Sequence, residues 1–460
     1  MATLEVINPA TAAVIERLAC DTGDTVAKKY AAARAAQPAW RALPLAQRVA
    51  VVARFRQLLA EQVEKCAQIL TSEVGKPLSQ ARGEVNGTLG RIDYFLNEVA
   101  ARSKDDTVWH DLGGGMTERL AHEPLGVIAN ISAWNYPYFV GSNVFIPALL
   151  TGNAVLYKPS ELAPLTGQQI EKLWREAGLP SGLFQCLIGA SEVGTNLLEQ
   201  PIDGVYFTGS YTTGKKIMDK VAGRMLRIQL ELGGKDPVYV RPDVDVKAAA
   251  ESTADGAFYN AGQSCCAVER LYVHADIYDT FVEHFVAFAR TLKSGDPLQE
   301  GVYFGPLTRK AQLGALEAQV QDAVKKGAKL LLGGQRTSGM GAYFPATVLT
   351  GVDHSMLLMR EESFGPVIGI QKVQDDSEAL RLMNDSEYGL TAGVYTRDAK
   401  VAAHLLEQLN AGTVYWNCCD RVSPRLPWSG RGHSGIGSTL SVLGIDSFLR
   451  PKAWHLRAPT

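Results

Sequence analysis

Long apolar runs are missing from these 460 residues. No stretch is apolar enough to span a bilayer, and the opening segment Met1–Pro9 has neither the basic nor the long apolar region of a secretory signal. A cytoplasmic chain without a membrane partner is expected. Charge of one sign is missing as well: 46 Lys and Arg against 48 Asp and Glu leave a formal net charge of −2, which gives no basic field for nucleic acid. Cysteine is sparse. The 7 present (Cys20, Cys66, Cys186, Cys265, Cys266, Cys418 and Cys419) are odd in number and form no CxxC pair, and the 8 histidines include no HExxH. This argues against a disulfide framework and against a metal site, and for a reducing compartment. Internal repeats and low-complexity segments are absent too.

What is present is an ordinary globular composition, 46% hydrophobic and 20% charged, in a chain long enough for two or three domains. Residues 25–99 read as helical, with Val49, Val52, Phe55 and Leu59 on one face and Pro38, Pro44 and Pro77 as punctuation between helices. Residues 107–122 read as a hairpin around Gly113-Gly114-Gly115. From Leu125 strands and helices alternate, which predicts a parallel sheet covered on both faces, with ligands beyond the carboxyl ends of its strands. The alternation resumes after Lys235, and the tail from Asp446 has strand character. The fold class is α/β, with two domains of similar size facing each other.

Polar clusters punctuate this pattern. Gly262-Gln263-Ser264 ends a predicted helix and presents Cys265 and Cys266 just before an apolar strand. Backbone N–H groups at such a turn favour a thiolate and an oxyanion beside it, although a free cysteine is also a common small core residue. Ser210 opens a helix, where it is either an N-cap or a phosphate contact. Lys158 and Glu161 follow a strand and read either as solvated charges or as a grip on ribose hydroxyls. Glu231 lies between apolar neighbours on a strand, an environment that raises a carboxyl pKa and suits a general base.

Taken in order, the segments Trp134-Asn135-Tyr136-Pro137, Lys158-Pro159-Ser160-Glu161, Phe207-Thr208-Gly209-Ser210, Leu230-Glu231-Leu232-Gly233-Gly234-Lys235, Gly262-Gln263-Ser264-Cys265, Glu362-Ser363-Phe364-Gly365-Pro366-Val367 and Asn384 with Tyr388-Gly389-Leu390 closely resemble the aldehyde dehydrogenase superfamily. The likeness spans essentially the whole chain. It implies a Rossmann-like NAD-binding domain (1–104 and 123–233), a catalytic domain (234–440) and a small β bridging or oligomerisation element (105–122 and 441–460), hence a homodimer or homotetramer. By position it makes Cys265 the nucleophile, Asn135 an oxyanion-hole donor and Glu231 the base that activates water. It assigns the cofactor to Trp134, Lys158, Glu161, Gly209, Ser210, Leu232, Glu362 and Phe364. The implied reaction oxidises an aldehyde to its acid through a cysteine thiohemiacetal and thioester. A carboxylate at Glu161 favours NAD over NADP, without excluding NADP.

Three positions depart from the family pattern: Ala133 where proline is frequent, Tyr211 where threonine is common, and Pro427-Trp428-Ser429-Gly430 in place of Pro-Phe-Gly-Gly. The last puts the substrate mouth in doubt. By position Tyr136, Phe139, Val140, Asn143, Ser264, Cys266 and the loop 418–428, with Arg421, Arg425 and Trp428, line the aldehyde tunnel. The two arginines either clamp a substrate carboxylate or are solvated. Two rival readings differ in class. A CoA-acylating member commonly lacks a base where Glu231 stands, and a non-catalytic relative has no need of Cys265, Asn135 and Glu231 together.

Overall fold

The computed structural model describes residues 2–104, 106–111, 115–339 and 341–457. Short apolar runs that are buried on both faces, such as Val127–Ile131 and Ala154–Lys158, pair in parallel, because only a sheet covered by helices on each side hides both sets of side chains. The first sheet runs Gly435–Ile436, Arg227–Glu231, Gly204–Thr208, Val127–Ile131, Ala154–Lys158, Phe184–Cys186, and only the first of these strands is antiparallel to its neighbour. From Val127–Ile131 the chain adds two strands to one side and then returns to add two to the other. The crevice at that reversal is where an open sheet of this kind takes its ligand.

A second sheet has the order Lys329–Leu332, Thr347–Thr350, Val367–Val373, Val268–His274, Asp236–Val240, Thr391–Tyr395, Thr413–Trp416. Each sheet has its own hydrophobic core. Strands Asp236–Val240 and Thr347–Thr350 were not legible in the sequence: the first is only five residues long and carries Pro237, the second only four. The first chain segment is a hairpin of Thr3–Ile7 with Val14–Ala19.

Pro38 does not separate helices. It lies inside the helix Gly23–Ala42, whose last turn is held by tertiary bonds from Gln37 Nε2 to Gly152 O and from Trp40 Nε1 to Leu149 O, both 2.9 Å. Those contacts, with the burial of Trp40, outweigh the one backbone bond that the proline removes. Pro44 and Pro77 do precede the helices Leu45–Glu61 and Leu78–Arg102.

The predicted hairpin is present as Asp106–Asp111 and Met116–Pro124, while Gly113 and Gly114 of its tip lie outside the described residues. The tail strand Leu449–Arg457 pairs along the full length of Met116–Pro124, so the two segments form one three-stranded antiparallel sheet. No helix among the described residues is long and apolar enough to cross a membrane.

Candidate active site

The cysteine turn owes its shape to three successive left-handed residues. After the helix Val246–Phe258, φ is +53° at Asn260, +54° at Ala261 and +69° at Gly262. A Cβ at Gly262 would sit 2.3 Å from Gly365 O, so only glycine fits there. Left-handed alanine is unfavourable, and the turn is over-determined by hydrogen bonds that offset it. Gln263 O accepts from the side-chain amides of both Asn260 and Asn135, each at 3.1 Å. Gln263 Nε2 donates to Asn260 O at 3.1 Å, Thr308 N to Gln263 Oε1 at 2.9 Å, and Asn260 N to Gln80 Oε1 at 3.0 Å.

The two cysteines leave this turn in different environments. Cys265 is half-buried and borders two separate cavities. Cys266 is buried, with its thiol donating to Asp420 Oδ1 at 3.0 Å. Its hydrogen bond with Cys265, burial and the Asp420 carboxylate together push the Cys266 thiol well above the ordinary cysteine range. At neutral pH it stays a thiol.

The strand Arg227–Glu231 ends on a buried carboxyl. Burial pushes Glu231 up to about 7, against the opposing pull of the Thr439 hydroxyl, the Arg91 guanidinium and the Thr208 hydroxyl. Thr439 donates to Glu231 Oε1, and Thr208 Oγ1 lies 3.4 Å from Oε2. A carboxyl in this range exchanges a proton near neutral pH.

Asn135 is buried, and one proton of its amide is committed to Gln263 O. Its backbone carbonyl accepts from Lys76 Nζ at 2.6 Å. Lys76 is wholly buried, pairs with Glu84 and lies 3.7 Å from the centroid of the Tyr136 ring. Glu84 Oε1 in turn takes the N–H of Tyr138 at 2.9 Å. Burial lowers the lysine pKa and raises the glutamate pKa, while the attraction between the two charges works against both shifts. This pair fixes the segment Asn135–Tyr138. Sequence reasoning missed it because residues 76 and 84 belong to the helical region and become neighbours of Asn135 only on folding.

The larger cavity, about 980 Å³, is bordered by Cys265, Cys266, Glu231, Tyr136, Phe139, Val140, Asn143, Ser264, Arg421, Arg425 and Trp428; of the predicted loop 418–428, Ser423, Leu426 and Pro427 do not border it. Arg421 and Arg425 are exposed at its mouth, while Trp428 is buried and bridges to Thr439. Arg91 and Asp420, which sequence reasoning did not single out, also border it.

The second cavity, about 550 Å³, is bordered by Cys265, Asn135 and all eight residues predicted for the cofactor: Trp134, Lys158, Glu161, Gly209, Ser210, Leu232, Glu362 and Phe364. It opens at the carboxyl ends of the central strands of the first sheet. In the second sheet the contributing loops precede their strands: Cys265 comes before Val268–His274, and Glu362 with Phe364 before Val367–Val373. The amino edge of one sheet therefore faces the carboxyl edge of the other.

Lys158 is buried, which lowers its pKa, and among the described residues its amine reaches only Pro159 O at 3.1 Å and, at 4.0 Å, Glu161. Its remaining N–H donors beside the half-exposed Glu161 carboxylate suit a pair of vicinal hydroxyls. Ser210 caps the helix Tyr211–Val221, leaving further N–H groups of its first turn for an anion. Tyr211, the departure from the family pattern, stacks on His433 with ring centroids 3.8 Å apart. Burial and the charge of Glu269 push Glu362 up to about 8. Phe364, at φ +46°, meets Trp134 edge-on at 5.5 Å, its N–H bonded to Glu269 Oε1 at 3.0 Å. Glu269 is itself buried against Lys235 Nζ at 2.5 Å. The described residues include no cluster of ligands able to hold a metal ion.

The aldehyde dehydrogenase family pattern matches residues 1–454. A 3,6-anhydro-alpha-L-galactose dehydrogenase from Streptomyces coelicolor is 36% identical over 461 aligned positions, covering 99% of this chain and 93% of that protein. The crystal structure of lactaldehyde dehydrogenase from Escherichia coli superimposes with a TM-score of 0.96 at 35% identity, covering 100% of this chain and 96% of that one. An NAD-dependent aldehyde dehydrogenase from Sinorhizobium meliloti gives a TM-score of 0.96 at 34% identity, covering 100% and 92%. With two facing α/β halves, a thiol between two cavities and a match along its whole length, this chain belongs to the aldehyde dehydrogenase family of NAD(P)-dependent oxidoreductases.

Proposed function

We propose that Cys265 is the nucleophile that oxidises an aldehyde to its carboxylic acid, with Asn135 as the oxyanion donor and Glu231 as the base. The supporting observation is that Cys265 alone among the cysteines borders both cavities. A carbonyl carbon entering from the larger cavity meets the sulfur, and the second Nδ2 proton of Asn135 together with the Cys265 backbone N–H stabilises the oxyanion of the thiohemiacetal. Bound in the smaller cavity, NAD(P) supplies the hydride acceptor. Lys158 and Glu161 would hold its adenosine ribose, Ser210 with Gly209 its pyrophosphate, and Glu362, Phe364, Leu232 and Trp134 its nicotinamide end. Loss of hydride leaves a thioester on Cys265. Glu231 then takes a proton from water, and the hydroxide released onto the thioester carbonyl frees the acid and the thiolate. The presence of a base at Glu231 supports hydrolysis over transfer to CoA.

Mixing enzyme, NAD and aldehyde is expected to give a burst of about one NADH per subunit, lost on thiol alkylation and in Cys265→Ser. A burst that persists in Cys265→Ser refutes the assignment, and a rate that depends on CoA revives the acylating reading.

The same reading divides the chain into an NAD-binding domain (1–104 and 123–233), a catalytic domain (234–440) and a bridging element (105–122 and 441–460). The exposed edge Asp106–Asp111, with Val108 and Trp109 uncovered, supports pairing with another subunit as a homodimer or homotetramer. Seven free thiols support a cytoplasmic, reducing location. Light scattering of the purified protein measures the assembly, and a monomer at micromolar concentration refutes it.

A further inference from the structure

Among the charged side chains that border the larger cavity, Glu84, Asp93 and Asp255 are engaged by Lys76, Arg56 and the Tyr303 hydroxyl, and Glu98 is half-buried; two further ones, Arg91 and Asp420, keep hydrogen-bonding capacity unspent. Arg91, on the helix Leu78–Arg102, is 6% exposed and lies over the Phe139 ring, 3.8 Å from its centroid. It gives one N–H to Asn143 Oδ1 at 2.9 Å and makes no other hydrogen bond among the described residues. A guanidinium has five N–H donors. Neither of its other nitrogens is sealed in the interior without a partner, so its spare donors are open to the cavity it borders.

Asp420 presents the complementary chemistry. It stands at φ +48° after Cys419, and its Oδ1 accepts from the Cys266 thiol at 3.0 Å and the Ser264 hydroxyl at 3.3 Å. Its Oδ2 has no hydrogen-bond partner among the described residues. Arg91 and Asp420 form no ion pair with each other, so a charged donor and a charged acceptor stand apart on one cavity wall with capacity left over.

That arrangement selects among aldehydes by charge. A substrate carboxylate gains from Arg91 but is opposed by Asp420, and an amino group meets the reverse. A plain alkyl chain leaves both charged groups stripped of water with nothing in return. A hydroxyl donates and accepts at once and satisfies either partner without a net charge. The exposed Arg421 and Arg425 at the mouth remain solvated and do not tip this balance.

We infer that the cavity takes a neutral, hydroxylated aldehyde, a 2-hydroxy or polyhydroxy aldehyde, with Arg91 donating to and Asp420 accepting from its hydroxyl groups. The inference rests on the reading that Cys265 attacks the aldehyde from this cavity.

The test compares kcat/KM for matched aldehydes: glyceraldehyde against propanal, with succinic semialdehyde and 3-aminopropanal as the charged counterparts. The wild type is expected to favour glyceraldehyde over propanal by roughly tenfold to a hundredfold, as for hydrogen bonds to charged groups, and to favour neither charged aldehyde. In Asp420→Asn, which keeps the side-chain shape, and in Arg91→Met, the glyceraldehyde-to-propanal ratio is expected to fall to within a few-fold of one, with Arg91→Lys retaining part of it. An NADH burst with propanal but no preference for glyceraldehyde overturns this inference and leaves aldehyde oxidation standing. So does a preference for a charged aldehyde, or a ratio unchanged in both Asp420→Asn and Arg91→Met. No burst with any of the four aldehydes overturns aldehyde oxidation and this inference with it.

Discussion

The hydroxyl of Thr439 donates to Oε1 of Glu231, joining the loop after strand Gly435–Ile436 to the end of strand Arg227–Glu231. The bond favours the ionised carboxylate and so works against the burial that pushes Glu231 up to about 7. In its proposed role as a base Glu231 works only when ionised. The rate of thioester hydrolysis is therefore expected to rise through about pH 7 and level off above it. Thr439→Val, which keeps the shape and removes the donor, is expected to move that midpoint to higher pH. Single-turnover release of acid measured across pH checks both statements, and an unmoved midpoint denies Thr439 its positioning role.

The same shift has a consequence for stability. Burial raises the folded-state pKa of Glu231 from its ordinary 4.5 to about 7, so the fold prefers the protonated form. Its contribution is full below pH 4.5 and is lost as pH rises through about 7. Glu231→Gln, permanently neutral, is expected to melt higher than the wild type at pH 8 and to lose that advantage towards pH 5. Thermal melts at the two pH values test the sign.

Asn135→Ala removes the proposed oxyanion donor and one of the two amides that hold Gln263 O. Turnover is expected to fall by roughly a hundredfold to a thousandfold, with the Kd for NAD largely kept, because the bond from Lys76 goes to the backbone carbonyl, which the substitution retains. Steady-state kinetics beside a fluorescence titration of NADH separates the two effects.

Lys76→Met leaves the Glu84 carboxyl buried without its cation. Breaking a buried pair on one side costs about 3–5 kcal/mol, so a clear loss of Tm is expected, with partial recovery in Lys76→Met/Glu84→Gln. Because Lys76 also holds the Asn135 carbonyl, the double variant is expected to regain stability without regaining kcat. Recovery of both together would show that the pair is structural only.

Glu161 is half-exposed beside Lys158, and in its proposed role at the adenosine ribose its carboxylate opposes the charge of a 2′-phosphate. Glu161→Gln is expected to shift the ratio of kcat/KM for NADP over NAD upward. A ratio unchanged by the substitution removes Glu161 from cofactor discrimination.

Much of this site was legible in the chain because its parts are local. Gly262-Gln263-Ser264-Cys265, Lys158 to Glu161 and Thr208 to Ser210 each follow or precede a single element, and each contributes residues to a cavity wall. The elevated pKa of Glu231 was foreseeable from its apolar neighbours on a strand, since burial is its largest cause. Pro38 misled because a helix-breaking residue is a local signal, whereas the bonds from Gln37 and Trp40 that keep the helix intact reach residues more than a hundred positions away.

The sequence by itself determined the alternating α/β architecture and the cysteine turn, because hydrophobic period and turn chemistry act over a few neighbouring residues; the residues gathered around the smaller cavity are picked out in the sequence only through the resemblance to the family. Tertiary structure alone decided that Lys76 and Glu84 anchor Asn135, that Thr439 bonds Glu231, that Glu269 holds Phe364, and that Arg91 and Asp420 share a cavity with Cys265. Each of these is a charged or polar group made stable in the interior by a partner distant in the chain. A buried charge takes its meaning from what surrounds it, and only the packing of helices and loops onto the two sheets supplies those surroundings.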